Sequence, residues 1–269
     1  YDIIHVAEAE GMPAGSGGLA SMREDYLLTM EAMDAALARL SEQGVITVTR
    51  GMQSPPRDNV RMFALFEAAV RQSAGRPQAA SKRLLQARNY LAVTTIASAE
   101  PLAGPRLERF REAAAELSMD VDYFPGIEPE DLTERNRVPG PEEQRGSYYY
   151  HAAGRILAGE SEREAFFDDW VYSVRPPTDS RPYFHSFFRW GSLDRYIRSY
   201  GQFWFQRLEL GYAVVFVTFL QVLVAALVLV LAPVLFLRRR RAGRGVPWTV
   251  VHFTAIGLGF LLIEMLHIQ

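Results

Sequence analysis

The chain contains no cysteine, which excludes disulfides, thiolate metal sites and cysteine nucleophiles. Lysine is almost absent too. Lys82 is the single one, so arginine carries nearly all the positive charge. The five histidines include no pair at metal-ligand spacing. A net charge of -2 leaves no general attraction to nucleic acid. No signal-peptide pattern, internal repeat or low-complexity tract is present. Gly15-Ser16-Gly17-Gly18 lacks both the lysine of a phosphate-binding P-loop and GxGxxG spacing, and reads as a lid instead.

What is there divides in two. Up to about residue 209 the chain alternates short apolar runs with amphipathic stretches. Ile3 to Val6, Val45 to Arg50, Tyr90 to Ile96 and Val121 to Phe124 are predicted strands. Helices are predicted over Arg23 to Ser41, with Tyr26, Met30, Met33, Leu37 and Leu40 on one face and Gly44 as the stop. They are also predicted over Asn59 to Ser73, with Met62, Phe63, Phe66, Ala69 and Val70 inward. A third opens at Gly104-Pro105, with Leu107, Phe110, Ala114 and Leu117 on one face. This alternation predicts an α/β domain with a parallel or mostly parallel sheet. Residues 128–209 are predicted to form a linker and an aromatic elbow, with a helix through Trp170 opened by Ser161-Glu162-Arg163-Glu164.

The second part is apolar. Gly211 to Leu237 has Tyr212, Thr218 and Gln221 as its plainly polar side chains and is closed by Arg238 to Arg241. The expectation is a transmembrane helix, since roughly 20 apolar residues cross a bilayer. A second span is expected from about Val246 to the end, giving two transmembrane helices over 210–269 and a lipid bilayer as partner. Five arginines between Arg238 and Gly245 would place that loop in the cytoplasm by the positive-inside rule and the soluble domain outside, but Arg189, Arg195, Arg198 and Arg207 make the other flank basic too, so the side of the soluble domain stays open. Glu264 and His267 share one face of the second span, where ionisable groups are functional candidates. Tyr1 begins on a strand and Gln269 ends on an apolar helix, which reads as a fragment of a longer protein.

Ligands of open parallel sheets bind beyond the carboxyl ends of the strands. That rule selects the loops after the first two strands, which carry Glu8, Glu10 and Arg50. Carboxylates there would line a cleft for a cationic or hydroxyl-bearing substrate.

Several of these stretches carry a family resemblance. Tyr1-Asp2-Ile3-Ile4-His5-Val6, then Glu24-Asp25-Tyr26-Leu27, Gly44-Val45-Ile46-Thr47-Val48 and Ser54-Pro55 resemble the second half of a spermidine synthase-like domain. Pro176 to Phe184 (PPTDSRPYF) and Gly257 to Glu264 resemble signatures of bacterial membrane-fused members of that group. The resemblance implies the C-terminal part of a Rossmann-like sheet of an S-adenosylmethionine-dependent transferase, followed by transmembrane helices in the bacterial inner membrane. It implies S-adenosylmethionine or its decarboxylated form as cofactor, whose glycine-rich motif would lie before residue 1, and a small-molecule acceptor. Glu8 and Glu10 would be catalytic carboxylates, with Tyr26 and Arg50 lining the acceptor site. Ala7 stands where the family carries its first aspartate, and Glu10 where it carries the second. Arg50 stands where an amine-tolerant residue is usual. The alternatives are a degenerate, non-catalytic module that regulates or scaffolds a membrane protein, and an accessory domain to a transporter-like part using Glu264.

Overall fold

The structure is a computed structural model that describes residues 1–7, 23–52, 55–74, 80–133, 135–136, 146–200, 210–238, 248 and 251–260. It divides into two compact units, Tyr1–Ala213 and Val214–Gln269.

The first unit is built on a five-stranded sheet. Its strands are β1 (Ile3–Ala7), β2 (Val45–Gly51), β3 (Leu84–Arg88), β4 (Ala92–Ser98) and β5 (Asp120–Tyr123), in the order β1-β2-β4-β3-β5. β1 and β2 are parallel, with Ile3 opposite Val45 and Ala7 opposite Thr49. The other three pairings are antiparallel. The predicted mostly parallel sheet is therefore corrected to a mixed one. The cause is a tight hairpin between β3 and β4, in which the Asn89 side-chain oxygen accepts from the Leu91 and Ala92 amides at 2.8 Å. A connection this short can join only antiparallel strands. Tyr90 and Leu91, assigned to a strand from sequence, are the exposed tip of that hairpin.

Helices cover both faces. On one lie α1 (Met30–Leu37), α2 (Asp58–Ala74), α4 (Tyr148–Leu157) and α5 (Glu160–Asp169); α3 (Pro105–Glu116) lies on the other. The stripe predicted for α2 is buried, and so are Asn59, Arg61, Ala64, Leu65 and Glu67 on its other sides. This helix is central: α1 and the sheet flank it, and α4 packs on it with Tyr149 and Ile156 in the same core. Phe166 and Phe167 of α5 complete that core. Residues 128–209, read from sequence as linker and elbow, thus contribute two core helices. Under α3 a smaller cluster joins Leu85, Leu102 and Phe124, with Leu107 and Phe110 packed against it. Leu117, expected on that face, is exposed, because α3 has ended and Ser118 turns the chain at φ 54°.

The β1–α1–β2 crossover shows how local chemistry fixes the geometry. Asp25 caps a single 3-10 turn, Tyr26–Leu28, by accepting from the Leu27 amide. Thr29 then caps α1 through the Ala32 amide. The predicted helix start at Arg23 was too early because these two caps interrupt the periodicity. Gly44 is required by a close approach: a Cβ there would lie 2.7 Å from the Tyr1 carbonyl oxygen and 2.9 Å from the Leu40 Cβ.

The predicted apolar helix is present and runs from Leu210 to Arg238, and residues 251–260 of the second unit are also helical. The expectation that these cross a membrane is corrected: among the described residues, no helix is long and apolar enough to do so. The described side chains from Phe216 to Leu229 are exposed around the whole helix.

Candidate functional site

Because β1 and β2 are parallel and α1 returns between them, the first turn of α1 stands at the edge where both strands end. A segment from Trp170 to Arg189 folds against this edge. Its attachments are polar and specific. The Trp170 indole donates to the Pro56 carbonyl (3.0 Å), the Met30 amide to the Pro177 carbonyl (3.0 Å) and the Asp25 amide to the Pro182 carbonyl (2.7 Å). Asp179 accepts from the Thr29 hydroxyl at 2.6 Å, while its own amide donates to Glu31 at 3.0 Å. Thr178 and Arg181 close the intervening turn. The Asp179-Ser180-Arg181-Pro182 stretch fastens this segment to the start of α1.

Beneath the segment lie three arginines. Arg50, near the end of β2, is 7% exposed; it pairs with Asp58 at 3.6 Å and sits 4.6 Å over the Phe184 ring. The Arg57 guanidinium lies over Tyr172 and Phe187, at 5.8 and 5.2 Å. Arg61, 3% exposed, lies 4.4 Å over Phe187 and donates to the backbone carbonyls of Ser173, Tyr183, Phe184 and Ser186. A guanidinium has five donors in a fixed fork, so one side chain can gather several carbonyls of an irregular segment.

On the outer side of the segment the chemistry reverses sign. Glu24 accepts from the Tyr26 hydroxyl at 3.1 Å and the Tyr183 hydroxyl at 3.2 Å. The His185 ring nitrogen lies 3.9 Å from an Asp25 carboxylate oxygen, and the ring meets Phe184 edge-on. The hydrogen bond to Glu24, with that carboxylate's charge, raises the Tyr26 phenol above its ordinary value. Tyr26 and Tyr183 are 55% and 39% exposed, so this acidic, aromatic face is open to solvent.

The sequence-predicted residues therefore separate. Tyr26 stands on the open face. Arg50 is beneath it, buried between Asp58 and Phe184, where its cation is occupied in holding the segment down. Glu8, Glu10, Glu264 and His267 lie outside the described residues, as do the glycine-rich lid and Ser54. Among the described residues there is no group of three or more side chains suited to a metal ion. Sequence reasoning did not assign Glu24, Asp25, Tyr183 and His185 to the site. Their signal was the pairing of two charged-aromatic strings, Arg23-Glu24-Asp25-Tyr26 and Arg181-Pro182-Tyr183-Phe184-His185, but Tyr183 lies 159 residues after Glu24.

In comparisons with protein-family models, curated proteins and solved structures, the chain matches none.

Proposed function

We propose that this chain carries the acceptor side of a spermidine synthase-like transferase, one that uses S-adenosylmethionine or its decarboxylated form and takes a small cationic amine as acceptor. One observation carries the reading. An exposed carboxylate, Glu24, is held by two phenolic hydroxyls beyond the ends of two parallel strands. Two tyrosines orient the carboxylate and supply apolar walls, and an ammonium ion would complete its coordination. Asp25 and His185 add a second carboxylate and a titratable ring beside it.

The donor set suits a cation on the outer face. The buried Arg50, Arg57 and Arg61 do not suit one, and a sulfonium cofactor would be attracted only to the acidic side. When bound, it would supply the electrophilic carbon. The contribution of Glu24, Tyr26 and Tyr183 is to bind and orient the acceptor.

Titration calorimetry with putrescine, spermidine and each cofactor form tests the reading. Amine binding that weakens at least tenfold in Glu24→Gln and severalfold in Tyr183→Phe supports it. Heat from a cofactor alone would leave the acceptor assignment wrong. No heat from any of the four ligands would favour the second reading, a non-catalytic module. Two observations point that way: Ala7 ends β1 where a carboxylate would be needed, and Arg50 is committed to Asp58 and Phe184.

A further inference from the structure

At the far edge of the sheet, two carboxylates on alternate residues of β5 are buried around one guanidinium. Asp120 and Asp122 are 0% and 1% exposed, and Arg88 of β3 is 4% exposed. Arg88 lies 3.4 Å from Asp120 and 3.0 Å from Asp122. Asp120 has further partners: it accepts from the Thr133 hydroxyl (2.7 Å) and from the Arg135 and Asn136 amides (3.0 and 2.7 Å). Asp122 faces α4. The Ser147 hydroxyl donates to it, and the Ser147 oxygen also caps α4 by accepting from the Tyr150 amide at 3.2 Å. Asp122 is thus the bond between the sheet edge and the first turn of that helix.

Among the described residues the charge count does not balance. Two buried carboxylates share one cation, and a buried ion without full compensation is costly. We propose that Asp122 is a proton-operated latch on α4: with its proton it keeps the first turn of the helix docked on β5, and as an anion it lets that turn open. Opening hydrates the carboxylate, so the docked form is the one that holds the proton. Burial is the largest influence on Asp122 and pushes it up to about 6, against the pull of Arg88 and Ser147, while the Asp120 charge adds to the rise. The opened turn returns it towards the ordinary ~3.9 of an aspartate. The sign follows by linkage: docking is strongest below about pH 4 and weakens as pH rises to about 6, where the effect levels off. Among the described residues, Glu128 and Glu130 are the charged groups that act on the Tyr150 phenol of this turn. The nearest histidine on α4 is His151, edge-on to Tyr150 at 5.2 Å.

Hydrogen exchange of the Tyr150 and His151 amides in the whole chain, corrected for intrinsic rates, reads the latch. Their opening constant should rise up to about tenfold per pH unit between about pH 4 and 6 and then flatten. The Asp122 carboxyl carbon should titrate with a midpoint near 6. Asp122→Asn, which cannot ionise, should lose the slope, and His151→Gln should keep it. Opening that stays within threefold from pH 4 to 7, or a carboxyl midpoint below 4.5, would overturn the proposal. So would a slope that survives Asp122→Asn or vanishes in His151→Gln. Should Asp122→Asn fail to fold, the carboxyl titration and His151→Gln decide.

Discussion

Replacing Arg61 with alanine tests how the 170–189 segment is held. The side chain serves four backbone carbonyls, those of Ser173, Tyr183, Phe184 and Ser186, and stacks on Phe187. A hydrogen bond to a charged group is worth about 1.5–3 kcal/mol, and a buried acceptor left without its donor costs about 1–3 kcal/mol. Water entering the vacated space would satisfy some of the four. With two left unsatisfied, and about 1 kcal/mol for the lost ring contact, the expected destabilisation is about 4 kcal/mol. That is a large part of the ~5–15 kcal/mol that stabilises a typical domain. Arg61→Lys keeps the charge but not the planar fork, and should lose about half as much. Urea unfolding followed by tryptophan emission provides the assay. Trp170 donates to Pro56 in this same segment and reports its detachment. A loss below 1 kcal/mol for Arg61→Ala, with Trp170 emission unchanged, would refute the claim that this guanidinium holds the segment in place.

Three further outcomes are expected. Asp179→Ala removes the acceptor of the Thr29 hydroxyl and should cost about 2 kcal/mol, with faster amide exchange at the start of α1 as the specific sign. Tyr123→Phe deletes the hydroxyl that donates to the Ser81 carbonyl at 2.8 Å and should cost about 1 kcal/mol in the same urea assay. For global stability, Asp122 is an acid raised in the fold to about 6, so its contribution is full below its unfolded value and lost as pH rises through 6. The stability of the wild type relative to Asp122→Asn should therefore fall by at most about 1.4 kcal/mol per pH unit between about pH 4 and 6. A difference that instead grows with pH would contradict the burial of that carboxylate.

Much of the fold could be read locally. The inward stripe of α2 followed from its 3.6-residue spacing, and every residue named on it is buried. The first two strands were legible because Ile3 to Val6 and Val45 to Val48 are apolar, β-branched-rich runs, the second bounded by Gly44 and Pro55-Pro56. Strand direction was not legible. A parallel crossover and an antiparallel hairpin both begin as an apolar run after a polar one, and the Asn89 turn that separates them is three residues long. The site was less legible still. Arg50 read as a free cation in a substrate loop, because nothing near it in sequence reveals that Phe184 will cover it. Tyr26 came from the likeness of Glu24-Asp25-Tyr26-Leu27 to a family motif, whereas Tyr183 and Glu24 are partners only through the folded chain.

The sequence by itself determined the elements whose causes are short-ranged: apolar periodicity, caps at Asp25, Thr29 and Ser147, and the unbroken apolar composition that makes 210–238 helical. It did not determine what surrounds them. The long apolar run suggested a span, but helicity comes from the residues within a segment, whereas its environment depends on what lies around it. Tertiary structure alone decided that three arginines beneath one segment hold it down while the face above is acidic. It also decided that two aspartates of β5 share one cation. In both places charges distant in sequence meet in a medium of low polarity, where their energies depend on distances and burial that only the assembled fold supplies.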